Sequence, residues 1–163
     1  MIKIIEAQKQ YYSSHTDALN SVASERLYLS VYGGFTEEMI ESFHIMCDRE
    51  NFPHYFVIDE NDTVVGWCDI VSRSTHPKQV GFLGIGLLPE YREHGIGRKL
   101  IEISLADAKD KGFREIRLEC RTDNKRAIHV YKKLGFKKYA QRRKALVIEN
   151  DKYDLLFMKK RLR

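Results

Sequence analysis

The sequence predicts a domain of the α/β (α+β) class, a mixed sheet with helices on its faces. Three observations lead there. Helix-period and strand-period segments interleave along the chain, a long two-striped helix lies between apolar strand-like runs, and the last third returns to alternation. At 163 residues the chain is long enough to bury a self-sufficient core and too short for two full domains.

The elements follow in order. Residues 2–5 form a short strand. Residues 11 to about 29 read as one or two helices, with Leu19, Val22, Arg26 and Leu29 near helical spacing, and Gly33 and Gly34 break the pattern. Thr36 offers an N-cap side chain, and Glu37 and Glu38 place negative charge in the first turn, where unpaired amides favour it. Met39, Phe43 and Met46 carry that helix to about residue 49. Residues 55–59 and 63–71 form a hairpin around the turn chemistry of Glu60, Asn61 and Asp62. Residues 80–88 are a third apolar run, rich in glycine. Residues 95 to about 111 are the clearest helix, with stripes Ile101, Leu105, Ala108 and Ile96, Leu100, Ile103, stopped at Gly112. Residues 114–121 alternate, with Ile116, Leu118 and Cys120 on one face and Arg117, Glu119 and Arg121 on the other. A short helix over 124–134 ends at Gly135, and strands over 136–147 and 153–158 close the chain before a charged tail from Lys159. With no repeat and no Pro/Gly/Ser-rich linker, residues 1–163 are expected to form a single domain.

Composition excludes several classes. Hydrophobic residues at 43% and only 3 prolines rule out a disordered or low-complexity chain. No apolar stretch approaches the roughly 20 residues that span a bilayer, and the start lacks a secretory h-region, so a cytoplasmic protein is expected. The formal charge of +5 suits any polyanionic partner, but aromatic-basic interleaving is absent and nucleic acid is not expected. Cys47, Cys68 and Cys120 are too widely spaced for a zinc finger or disulfide framework. His44 and Cys47 share a helix face but are two ligands only, so no metal is expected.

Chemistry concentrates in residues 87–98, LLPEYREHGIGR. An apolar strand runs into Pro89, then a loop with Gly95 and Gly97, then the patterned helix. The first amides of a helix are unpaired and partly positive, and glycines there let an anion approach the backbone. Arg92 and Arg98 add cationic character. A P-loop is excluded because GxxxxGK[ST] is absent, and a dinucleotide fingerprint because the third glycine is missing. A ligand-free glycine-bearing helix start stays open on these residues alone.

The run Arg92-x-x-Gly95-x-Gly97 resembles the acyl-CoA loop of the GCN5-related N-acetyltransferase (GNAT) superfamily. Downstream, Asn124-x-x-Ala127-x-x-x-Tyr131-x-x-x-Gly135-Phe136 resembles its second signature. The likeness covers about residues 55–158 and implies a mostly antiparallel twisted sheet, an N-acetyltransferase activity and acetyl-CoA as co-substrate. It further implies that backbone at Leu87 and Leu88 pairs with the pantetheine arm. The amides of Arg92, Glu93, His94, Gly95, Ile96, Gly97 and Arg98 then wrap the pyrophosphate, while Asn124, Ala127 and Tyr131 line the thioester end. Gly84 and Gly86 agree with a strand that splays for pantetheine or, equally, with a tight strand crossing.

Only a neutral amine attacks a thioester, so the reaction needs a proton acceptor and an acid for the thiolate. Tyr131, a phenol with a reference pKa near 10, is the expected acid. Many members of the superfamily carry a glutamate near the position of Gly81, where this chain has none. Glu119, spaced from Tyr131 as in the branch that acetylates ribosomal-protein alanine, is therefore the expected base, against a reading in which it neutralises Arg117 and Arg121. Glu25 and a water-mediated route are the alternatives. The acceptor is expected to be a primary amine, whether a small amine, an amino acid, an antibiotic-like compound or a protein N-terminus, attacking within a ternary complex. Trp67, Tyr28, Tyr32 and Phe35 are candidates for the acceptor cleft, and pairing of the last strands would give a homodimer. An acyl-CoA-binding sensor without turnover and a nucleic-acid module are the rival readings.

Overall fold

The computed structural model describes residues 1–27, 34–73, 76–77 and 79–163. Its elements run β1 (Lys3–Glu6), α1 (Tyr12–Ser24), α2 (Glu37–Glu50), β2 (His54–Ile58), β3 (Val64–Val71), β4 (Val80–Leu87), α3 (Ile96–Asp110), β5 (Glu115–Arg121), α4 (Lys125–Lys133), β6 (Lys137–Ile148) and β7 (Asp151–Arg161). Tyr28, Leu29, Tyr32 and Gly33, which the sequence placed in or after the first helix, lie outside the described residues.

The strands form one 7-stranded sheet in the order β1-β2-β3-β4-β5-β7-β6. Every neighbouring pair is antiparallel except β4 and β5, which run parallel because α3 crosses over between them. Alternation along the strands divides the side chains between two faces. Cys68, Ile70, Leu83, Ile116, Leu118, Cys120, Leu156 and Met158 pack with Leu100, Ile101, Leu105 and Ala108 of α3 and with Ile128 and Tyr131 of α4. On the opposite face Phe56, Ile58, Val64 and Trp67 pack with Ala18 and Val22 of α1.

Thr36 caps α2 as its sequence suggests, its Oγ1 accepting from the Met39 amide at 3.2 Å. The buried stripe of α2 differs from the expected one. Ile40, His44 and Cys47 face inward and Met39 is exposed, because the helix is rotated to set His44 against Tyr12 and His15. The expected charged tail is also largely strand. Lys159, Lys160 and Arg161 continue β7 opposite Arg117, Ile116 and Glu115 of β5. Lys160 Nζ donates to the Leu134 carbonyl at 2.7 Å, which gives this run a structural use that its charge conceals.

Candidate active site

The parallel pair β4/β5 is joined only over Val80–Phe82 and Glu115–Arg117, in the register Val80↔Glu115, Gly81↔Ile116, Phe82↔Arg117. Beyond it the strands part, so residues 83–87 of β4 have no partner on β5 and a gap opens in the middle of the sheet. The Leu88 amide donates to Val65 at 2.8 Å, which sets the phase of the β3/β4 ladder. By antiparallel alternation the main-chain groups of Ile85 and Leu87 then turn away from β3, into the gap. Leu88 does not share this. Its amide is held by Val65 and its carbonyl by the Tyr91 amide at 3.0 Å, so the main-chain groups turned to the gap are those of Ile85 and Leu87, with the Leu87 carbonyl taken by Arg92 Nε at 2.9 Å.

At the mouth of the gap the loop reaches α3 through Glu93 (φ 63°) and Gly95 (φ 76°), both left-handed. No side chain caps α3, and the amides of Ile96, Gly97 and Arg98 have no acceptor among the described residues. A Cβ on Gly95 would meet nothing within 4 Å, so the space there is open, as an approaching phosphate requires, whereas one on Gly97 would touch Leu87 Cδ1 at 3.4 Å and Ile85 Cδ1 at 4.0 Å.

The cations of this loop are otherwise engaged. Arg92 donates from Nε to the Leu87 carbonyl at 2.9 Å and from both Nη atoms to Glu25 at 2.9 and 2.6 Å. A bidentate carboxylate claims the guanidinium fork. Arg92 thus brackets the loop to the end of the α1 region, and Glu25 is committed to that bracket. Arg98 reaches along α3 to Glu102 at 2.9 Å, and Glu93 lies 3.6 Å from Arg126. His94 is exposed. What this loop holds out toward an anion is main chain.

Asn124 caps α4, its Oδ1 accepting from the Ala127 amide at 3.3 Å, and Ala127 packs against the α3-side core. This helix carries Tyr131 into the core beside Phe136, where the phenol is buried and packed near Cys68 and Cys120. Burial, helped by those two thiols, raises the Tyr131 pKa well above its ordinary value. Glu119, next to Cys120 on β5, points to the other face. It is exposed and makes no hydrogen bond or ion pair among the described residues, Arg117 and Arg121 being bound to Glu115 and Asp123 instead. Glu119 lines a pocket of about 240 Å³ with Arg73, His76, Phe82, Tyr139 and Phe157, over the start of the gap. Of the other expected cleft residues, Trp67 is buried core and Phe35 has both main-chain groups held by the Asn20 side chain.

Two features had no sequence signal. The described residues bring His15, His44 and His54 together in the α1/α2 layer, with ring nitrogens all within 4.8 Å of one another. The His15 Nδ1 and His44 Nε2 atoms are 3.1 Å apart. The rings of His44 and His54 stack with planes 15° apart, so their in-plane lone pairs do not converge on one point; ligation of an ion would require a ring to turn. The second feature is Asp69 on β3, whose carboxyl is pushed up to about 7 by desolvation. Alternation alone would have read it as an ordinary polar position.

A split parallel pair with free helix amides at its mouth leaves a cleft open to an extended ligand that carries an anion. Residues 16–136 match the acetyltransferase (GNAT) family, and the chain belongs to that family. The N-alpha-acetyltransferase 30 of Schizosaccharomyces pombe is 28% identical over 140 residues, 85% of this chain and 86% of that protein. An N-alpha-acetyltransferase of Mycobacterium tuberculosis is 35% identical over 92 residues, 56% of each chain. Among solved structures, a GNAT acetyltransferase from Streptococcus pneumoniae superposes with a TM-score of 0.90 at 24% identity, covering 99% of this chain and 100% of that one. A phosphinothricin acetyltransferase from Sinorhizobium meliloti in complex with acetyl-CoA superposes at 0.91 and 18% identity, covering 99% and 88%. The protein is an acetyl-CoA-dependent N-acetyltransferase.

Proposed function

We propose that this enzyme transfers the acetyl group directly to the α-amine of a peptide, both substrates being bound at once. The observation that carries the reading is the sheet gap, with Tyr131 on one face and Glu119 on the other. Acetyl-CoA supplies an activated acetyl thioester. The amides of Ile96, Gly97 and Arg98 receive its pyrophosphate and the main chain of Ile85 with the Leu87 amide its pantetheine arm, and the open space at Gly95 fits the first role. Tyr131 keeps its proton at neutral pH because burial disfavours the phenolate, so it donates a hydrogen bond and then its proton to the departing sulfur. Glu119 draws the acceptor's ammonium to the opposite mouth of the gap. An acyl-enzyme route lacks a nucleophile: the thiols of Cys47 and Cys120 are pushed up to about 12 and about 11 by burial, and Cys68 is raised further. The α-amine is supported by the relatives, since the Schizosaccharomyces pombe and Mycobacterium tuberculosis proteins are both N-alpha-acetyltransferases.

The test is release of free CoA thiol over a panel of acceptors. Peptides with a free α-amine are set against the same peptides blocked at that amine, against free amino acids and against small amines. Turnover is expected on the free α-amine peptides and is expected to vanish on blocking. Rates confined to lysine side chains or small amines would overturn the acceptor assignment. Binding of acetyl-CoA with no release above buffer would make the chain a sensor. Tyr131→Phe should lower kcat by about 10²-fold or more with the KM for acetyl-CoA unchanged.

A further inference from the structure

We propose that Asp69 is the catalytic group that takes the proton from the acceptor's ammonium, across a notch floored by Gly84 and bounded on its far side by Glu119. This rests on the reading above that an amine meets the thioester at the sheet gap.

The geometry comes from three neighbouring strands. Asp69 of β3 stands directly opposite Gly84 of β4. Phe82 of β4 is level with Arg117 of β5, so two residues further on Gly84 comes level with Glu119, where the strands have parted. Asp69 lies two residues beyond Trp67, which packs on the α1 side, and Glu119 lies between Leu118 and Cys120, which face α3 and α4. All three therefore face the α1/α2 side. A Cβ on Gly84 would lie 3.2 Å from Asp69 Oδ1, so the carboxylate reaches over a position that has no side chain of its own. Asp69 stands one strand spacing, about 4.8 Å, from bare Gly84, and beyond Gly84 the strands have parted, which leaves room for an ammonium between the two carboxylates.

Asp69 is also chemically unusual. It makes no hydrogen bond or ion pair among the described residues. The groups around it offer no compensating charge: Cys47 of α2 has its thiol pushed up to about 12, and His54, opposite Asp69 on β2, is held neutral by burial. Desolvation without a partner is what brings the Asp69 carboxyl to about 7, where a group both accepts and returns a proton readily. A structural carboxylate would be expected to have a donor. Glu119, exposed to water and free of an ion pair among the described residues, suits attraction of the amine better than removal of its proton.

The protons balance. The ammonium gives one proton to Asp69, which passes it to water. The nitrogen loses a second as the C–N bond forms and the C–S bond breaks, and this loss matches the proton that Tyr131 delivers to the sulfur and then recovers through solvent. No further reactant is needed.

Asp69→Asn tests the assignment on the full-length enzyme with whichever amine in the panel wild type uses. Wild-type kcat/KM should rise through an apparent pKa near neutrality, and the variant should lose that limb and about 10²-fold of kcat, with KM for acetyl-CoA unchanged. Its Tm should stay level or increase, because an unpartnered carboxylate is removed, whereas a merely structural Asp69 would lose activity and Tm together. An acceptor already neutral at the assay pH, such as a hydrazine, should recover most of the rate in the variant. Glu119→Gln should instead raise the KM of the amine and leave the limb in place. A wild-type pH profile in Asp69→Asn, or an equal loss with the neutral acceptor, overturns the proposal. Absence of wild-type turnover on every amine overturns the acetyl-transfer reading and this one with it.

Discussion

The two sides of the sheet gap are made of different material. Toward α3 the cleft presents main chain: the amides that open the helix, the free edge of β4 and Gly95 with open space above it. Toward α1 and α2 it presents side chains gathered from β3, β4, β5, β6 and β7, among them Asp69, Phe82, Glu119, Tyr139 and Phe157, with three histidines packed behind. On the function proposed above, the main-chain side takes what every acetyl-CoA shares, its pyrophosphate and pantetheine arm, and the side-chain side, which can be changed residue by residue, sets acceptor choice. The arginine of the loop, Arg92, fits this division, since its side chain ties the loop to Glu25 at the end of α1.

The strongest way to break this comparison is acid. Burial lowers His15 to about 3, His44 to about 4 and His54 to about 2, while the unfolded chain titrates near 6.5. Below about pH 6.5 the unfolded state therefore binds protons that the fold refuses, and stability falls as pH falls toward 4. Asp69, raised to about 7, works in the opposite sense over the same range and offsets one proton. Each uncompensated histidine contributes a slope of about 1.4 kcal/mol per pH unit, so unfolding in urea should be easier at pH 5 than at pH 7 by about 3–5 kcal/mol. His54→Phe should reduce that slope by about one proton. A flat profile between these pH values would show that the histidine layer is not dry.

A smaller effect separates a packing glycine from a ligand glycine. Gly86 stands opposite Trp67, and a Cβ there would lie 2.3 Å from the indole Cζ2 and Cη2 atoms. Gly86→Ala should cost about 1–3 kcal/mol by overpacking, read as a lower Tm. Trp67→Leu in the same chain should recover most of it. Full recovery of stability without the second change would mean that β4 is free to move outward.

The same division explains what the sequence disclosed. The elements and the α3 mouth were legible because they rest on local signals: Thr36 before Glu37 and Glu38, glycine at 95 and 97, alternation over β5, Asn124 ahead of Ala127. Two expectations failed where tertiary contacts outweigh local ones, and the charge of Arg92 is paired with Glu25, distant in sequence. The buried stripe of α2 was set by rings on other elements, and Lys159 to Arg161 were strand because β5 lies beside them. Asp69, His15 and His54 gave no signal, and His44 showed only as one of two possible ligands on a helix face, since their meaning depends on strand register and on neighbours that lack a charge or a side chain.

The smallest and sharpest test is at Gly97. Its Cβ would touch Leu87 Cδ1 at an ordinary 3.4 Å and Ile85 Cδ1 at 4.0 Å, and the position lies in the first turn of α3, so the fold itself has room for alanine. Gly97→Ala should keep or raise stability by about 0.5 kcal/mol, because alanine loses less backbone entropy in a helix. If a pyrophosphate rests on these amides, the added methyl crowds the seam between α3 and Leu87 and Ile85 of β4 beside which it sits, and the Kd for acetyl-CoA should rise about tenfold, a cost of about 1.4 kcal/mol. Gly95→Ala is the control, for its φ of 76° makes alanine strained and Tm should fall with or without ligand. Should Gly97→Ala bind acetyl-CoA as wild type does, the cofactor is held elsewhere, and the contrast between a main-chain half and a side-chain half of the cleft fails at its mouth.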